Sequence, residues 1–285
     1  ALGVLVAAGV VACAPTPAPL PDTGYPWHTD IVATTFWVGE VFDPSAPDGS
    51  QRLSTYDSRW LASYGGCDGV SEGAQCRTEP RTAANGYFPT RMTPRENPFY
   101  LDLPFDDVND EVGFAERGRV IPWASESAYA AHVDDPAVSL MKNRWVVLRK
   151  GDRLCYGQIQ DAGPGEYRDA AYVFGSDDRR PDNARFNGAG LDVSPALNGC
   201  LGFAELDGED DRVDWAFVDD RDVPDGPILP GKKSYQIKVP AGEAYSRVEN
   251  PKGELGYYVV ADGSPTAYRY HGRSPSFMNL TALEQ

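Results

Sequence analysis

The apolar segments of this chain are short, mostly β-branched or aromatic, and separated by turn-forming residues. That pattern excludes long amphipathic helices and points to many short strands. Ile31–Phe42 (IVATTFWVGEVF), Pro98–Phe105 (PFYLDLPF), Arg117–Trp123 (RGRVIPW), Gly190–Val193 (GLDV) and Val213–Val218 (VDWAFV) each read as a strand. Two apolar runs flank Lys150-Gly151-Asp152, a hairpin signal. Helical signals are brief. They cover Leu53–Gly66, one or two turns within Ala124–Val133, and a helix opened by Ser194 as N-cap with Pro195 at its first position. With 29 Gly and 24 Pro among 285 residues, the punctuation is dense enough to predict a closed barrel or sandwich, not a doubly wound α/β sheet.

Hydrophobic residues make up 41% of the chain, enough for a core. The net charge of −16 repels nucleic acid and anionic membrane surfaces alike. The charge is uneven: residues 1–228 hold 19 basic and 37 acidic residues, whereas residues 229–285 hold 7 basic and 5 acidic. This change of sign predicts two segments of different origin.

The opening ALGVLVAAGVVAC is apolar, too short to span a bilayer, and of the right length for the core of an export signal. Val10-Val11-Ala12-Cys13 fits a bacterial lipobox, which assigns Cys13 to lipidation, and the Pro-rich stretch after it to an extended tether. A lipid on Cys13 leaves Cys67, Cys76, Cys155 and Cys200, an even number that reads as disulfides in an exported protein. Three pairings are open; Cys67–Cys76 with Cys155–Cys200 is the expected one. No CxxC motif occurs and the three histidines are scattered, so neither metal nor other cofactor is expected. The acidic runs Asp106–Glu111 and Asp207–Asp211 lack the spacing of a calcium loop and read as solvated loops.

Two carboxylates stand at strand ends: Asp161, before a Gly-Pro turn, and Asp192, before the Ser194 helix. A carboxylate near a helix start also serves as an acceptor for backbone N–H groups, so position alone does not make either residue catalytic. The strings QDAGPG and LDVSPALNGCLG resemble the double-psi β-barrel of the rare lipoprotein A family, a barrel shared with expansins and family 45 endoglucanases. The resemblance spans about Thr34–Pro227 and is specific only in those two motifs. It implies a six-stranded double-psi barrel with short helices, Asp161 at the position of a transglycosylase acid/base and Asp192 at that of the endoglucanase and expansin acid. The sequence departs from those families at Tyr100, where the transglycosylases carry His, and at Ala162, where the turn carries Arg. Glu40 and Asp57 are the candidates for a second carboxylate, which hydrolysis requires and binding does not. Tyr100, Trp37, Trp60, Trp123 and Trp145 are the candidate stacking surfaces for sugar rings, with burial in the core as the plainer alternative.

The tail is different. GELGYYVVADGS, YRY and RSPSFMNL, within Pro240–Leu283, resemble the C-terminal region of the D subunit of NADH:quinone oxidoreductase, and the resemblance starts near Ile228. The expected organisation is therefore a signal and tether over 1–30, a barrel over 31–228 and a β segment resembling that oxidoreductase over 229–285. The leading functional expectation is an exported, lipid-anchored, monomeric barrel at the cell envelope that binds polysaccharide, with cleavage left open. The competing expectations are a redox-complex component, carried by the tail, and a barrel that inhibits a protein partner. A groove beside Asp161 and Asp192 favours glycan and a projecting loop favours inhibition, while the redox reading conflicts with export, since an exported lipoprotein cannot dock in a cytoplasmic-side complex arm.

Overall fold

A computed structural model describes residues 20–46, 49–73, 75–224, 241–250, 253–261 and 268–273. The chain divides into two compact units, residues 1–229 and 230–285. Cys13 and its lipobox lie outside the described residues, as do residues 15–19 of the tether.

Unit one is built on six strands: β1 (His28–Thr35), β2 (Tyr100–Leu103), β3 (Trp145–Lys150), β4 (Arg153–Ala162), β5 (Leu191–Val193) and β6 (Asp211–Val218). They close into a barrel in the order β1-β5-β2-β4-β3-β6. Two neighbouring pairs, β1 with β5 and β2 with β4, are parallel; the other four are antiparallel. Exchanging the first three strands with the last three maps every pairing onto another, so the barrel has pseudo-two-fold topology, as a double-psi barrel requires. The axis passes between β2 and β5, where Leu101 faces Val193 and Asp102 faces Asp192.

Alternation along the strands sends Ile31, Ala33, Leu101, Leu103, Val146, Leu148, Ile159, Leu191, Val193, Val213, Trp215 and Phe217 into one core. On β3 and β6 the opposite face is buried too, since Trp145, Val147, Ala216 and Val218 pack beneath Val223 and Trp27. Burial on both faces explains the unbroken apolar run WVVL, Trp145–Leu148. The expected hairpin joins β3 to β4 through Gly151, whose φ of 58° suits glycine. The expected helix after β5 is α4 (Pro195–Leu201), with the Ser194 side chain accepting the Leu197 N–H and Gly202 in the left-handed C-cap position. The other helices are α1 (Trp60–Tyr64), α2 (Glu111–Val120) and α3 (Ala170–Val173).

Both expected disulfides are formed. Cys67–Cys76 closes the loop carrying the small hairpin Val70–Glu72/Gln75–Arg77, and Cys155–Cys200 ties β4 to α4, with Cα separations of 5.6 and 6.3 Å.

Three local expectations need correction. The first strand stops at Thr35: the Phe36 N–H donates the last bond of the parallel β1–β5 ladder, to the Val193 carbonyl, and turns follow. Arg117–Val120, expected as strand, belongs to α2. Asp110 caps that helix by accepting from the Val112 and Gly113 N–H groups. Arg117 is fully buried and spends its five N–H donors on the carbonyls of Val133, Asp107, Val138, His132 and Asp135. Finally, the run Asp106–Glu111 is not simply solvated. Asp107 is buried, accepting from the Ser139 hydroxyl and Leu140 N–H beside Arg117, and Asp106 accepts the Val108 and Asn109 N–H groups.

Unit two, among its described residues, is an antiparallel meander of β7 (Gly242–Asn250), β8 (Gly253–Ala261) and β9 (Arg269–Arg273), with β8 central. Tyr245, Val248, Tyr268 and Tyr270 are exposed on it.

Candidate functional site

The strand register places four polar side chains in a row across four neighbouring strands. Thr34 on β1 faces Asp192 on β5, Asp192 faces Asp102 on β2, and Asp102 faces Asp161 on β4. The alternation that turns Leu101, Leu103, Leu191 and Val193 inward turns Asp102 and Asp192 outward, and directly opposed residues share a face. Asp161 reaches the row through a bulge. The β2–β4 register skips Gln160, so Asp161 stands opposite Asp102 and does not follow Ile159 into the core. Adjacent strands lie about 4.8 Å apart, so the row from Asp161 to Asp192 spans roughly 10 Å.

Hydrogen bonds tie the row together. The Asp192 N–H donates to Asp102 Oδ1 at 2.8 Å, and the Thr34 hydroxyl donates to Asp192. Asp161 Oδ1 accepts from the Thr55 and Ala162 N–H groups, both at 2.8 Å. Gly163 follows in the turn at a φ of 156°, and a Cβ there would come within 2.9 Å of Asp102 Oδ2, so only glycine passes this close.

Burial and mutual repulsion hold protons on these carboxyls. Burial raises Asp161 to about 6, against the opposing bonds from Thr55 and Ala162. Asp102 and Asp192 form a coupled pair pushed well above the usual carboxylate range, first by burial and then by neighbouring charge: Asp192 and Asp161 act on Asp102, while Glu40 and Asp161 act on Asp192. Glu40 itself is raised to about 7, mainly by burial. Among the described residues, no cation is a main cause of these four shifts. Tyr167 borders the row, its phenol raised by burial and by Asp102 and Asp161. The arrangement can store protons near neutral pH and release them over a few ångströms.

The other expected site residues lie elsewhere. For Asp57, burial is outweighed by hydrogen bonds from Ser63 and the Arg59 N–H and by the charges of Lys142 and Arg59, which hold the carboxyl below its usual value. It is an ordinary anion in a turn. Trp60, Trp123, Trp145 and Tyr100 are all buried and offer no ring face to a ligand. Trp37 is half-buried, with its indole N–H spent on the Cys76 carbonyl. Tyr100 donates to Asp68 Oδ2 at 2.8 Å and accepts the Val38 N–H at 3.0 Å, and Asp68 is paired with buried Arg81. These aromatics hold loops onto the barrel. Asp102 is not among the candidates that the sequence suggests. Its one signal is a lone charge within the apolar strand FYLDLPF.

Residues 232–285 match the family described as respiratory-chain NADH dehydrogenase, 49 Kd subunit. The match is confined to unit two. The D 2 subunit of NADH-quinone oxidoreductase from Herpetosiphon aurantiacus is 60% identical over 62 residues, which are 22% of this chain and 17% of that protein. Its namesake in Solibacter usitatus is 57% identical over 63 residues, and the D subunit of Dehalococcoides mccartyi 52% identical over 64, with the same shares. The chain thus spans about a sixth of the length of these curated relatives.

These matches overturn the leading functional expectation. The relatives are respiratory subunits and none of them is a cell-wall protein, so polysaccharide as partner, and export to the envelope on a lipid anchor, lose their support. Burial also removes four of the five expected sugar platforms, leaving the half-buried Trp37. The competing expectation carried by the tail, a respiratory-complex component, takes precedence.

Proposed function

We propose that the chain is an accessory component of an NADH–quinone oxidoreductase, joined to it through residues 232–285. The observation that carries this reading is the family match over residues 232–285, the segment that includes β7–β9, alongside an identity of 60% over 62 residues with one D subunit. Tyr245, Val248, Tyr268 and Tyr270, all exposed there, supply the aromatic and aliphatic surface that protein interfaces bury. A segment with about a sixth of the relatives' length has no place for their whole activity, so the proposed role is docking. The test is affinity purification of the tagged full chain from cells that contain the oxidoreductase, followed by mass spectrometry of its subunits. The expected result is recovery with the full chain and none with a chain ending at residue 229. Recovery with both, or with neither, overturns the proposal.

For the barrel we infer a separate role, favoured by the carboxyl row: proton transfer to and from a bound ligand, with Asp192 and Asp161 as the transferring groups and Asp102 sharing a proton with Asp192. The topology and the QDAGPG and LDVSPALNGCLG motifs support kinship of residues 31–228 with the double-psi barrels of rare lipoprotein A, the expansins and family 45 endoglucanases. That kinship bears on the scaffold and leaves the ligand to be identified.

A further inference from the structure

A recess of about 350 Å³ opens between the Thr55–Tyr56 turn and the segment from Ala137 to Asn143, with Val108 and Val138 in its walls. It shares one wall with the carboxyl row, because the Thr55 N–H that lines it is bonded to Asp161. Its volume is that of a small-molecule site.

Five polar acceptors on its walls are already engaged. The Tyr56 carbonyl takes a bond from Lys142 Nζ at 3.2 Å, and the Thr55 carbonyl takes one from Asn109. Ser139 Oγ accepts the Met141 and Lys142 N–H groups while donating to Asp107. Asn143 Oδ1 accepts from Gln160, and the Asn143 carbonyl accepts from Gln158. Two side-chain donors have capacity to spare. Lys142 spends one of its three ammonium hydrogens, and the Asn143 amide nitrogen has no protein acceptor among the described residues. Asp57 and Glu96 feel the charge of Lys142, yet neither comes within ion-pair distance of it. A half-buried ammonium beside a spare amide, walled by Tyr56, Val108, Ala137 and Val138, matches an anion with an apolar body. The nearby carboxyls Asp57, Glu96, Asp107 and Asp161 disfavour a second negative charge.

We propose that this recess binds a small organic monocarboxylate, held by Lys142 and Asn143. The proposal rests on the barrel alone and stands or falls apart from the docking role of the tail. It also brings a bound acid close to Asp161, through Thr55.

Calorimetric titration of the full chain with sodium benzoate at pH 7 and constant ionic strength tests it, with sodium acetate and inorganic phosphate as comparison probes. Benzoate is expected to bind more tightly than acetate, and phosphate more weakly than either. Lys142→Gln should weaken benzoate about tenfold or more, since it removes a charge-assisted hydrogen bond, while Lys142→Arg should stay within about threefold of the native chain. Ala137→Trp, which fills the recess from its exposed rim and leaves Lys142 in place, should abolish benzoate binding. No benzoate binding by the native chain, benzoate affinity unchanged in Lys142→Gln or Ala137→Trp, or preference for phosphate overturns the proposal.

Discussion

Asp102, Asp161 and Asp192 are ordinary carboxylates made unusual by position. Their raised values fix the sign of a pH effect. A carboxyl with a native pKa above its unfolded one binds its proton more tightly in the fold. The stability this confers is therefore complete below the unfolded value, about 3.9 for Asp, and is lost as pH rises through the native value. For Asp161, raised to about 6, the loss falls between about pH 4 and 7 and is on the order of 2–3 kcal/mol. Asp161→Asn keeps the shape and the oxygen that accepts from Thr55 and Ala162, without the ionisation. It is expected to melt above the native chain at pH 8 and with it at pH 4; a gap that ignores pH removes the raised carboxyl from the account. The proton-transfer reading has its own check in carbon NMR of labelled carboxyls. At least one of Glu40, Asp102, Asp161 and Asp192 should titrate between pH 6 and 8, and Glu40→Gln should lower the value of Asp192. Four carboxyls titrating below pH 5 would end that reading.

At the scale of the element, α2 departs furthest from what its residues suggest. RGRVIPW has strand-like composition, and nothing local announces that Arg117 will be buried. The helix forms there because Asp110 caps it and because Arg117 gathers five carbonyls from irregular segments. Arg117→Met fits the space, leaves the Val133, Asp107 and Val138 carbonyls without that donor, and removes the cation beside the Asp107 carboxylate. The expected cost is roughly 3–5 kcal/mol, as for breaking a buried ion pair, against about 1 kcal/mol for Asp110→Ala, which removes one cap. Urea titrations of the two variants decide this, and a smaller loss for Arg117→Met than for Asp110→Ala would refute the account. By contrast, the β3–β4 hairpin and the Ser194-Pro195 start of α4 were legible, because turn and cap chemistry is local.

For the molecule as a whole, the two units have opposite net charge and separate folds. Removing residues 230–285 is expected to leave the thermal unfolding midpoint of the barrel unchanged within error. A substantial fall would mean that the barrel needs its neighbour. The isolated second unit, a three-stranded sheet with exposed tyrosines, is expected to show no cooperative melt of its own, since so small a sheet needs a packed face to be stable. Scanning calorimetry of both fragments measures the two outcomes.

What the amino-acid order determined by itself is whatever rests on near neighbours. Short apolar runs between turn residues meant strands too brief for anything but a closed or layered β fold, the four cysteines beyond Cys13 meant paired thiols, and the tail's strings carried their resemblance in plain view. Tertiary structure alone decided the site. Asp161 and Asp192 are thirty-one positions apart and Asp102 is far from both; closure of the barrel, parallel pairing of β2 with β4 and a one-residue bulge put them in one row. It also decided that Tyr100 and three of the tryptophans are core. A large aromatic ring in a β segment fits a groove or an interior equally well until the partner strands arrive, and the water each partner excludes is what makes one interior and raises the other's carboxyls.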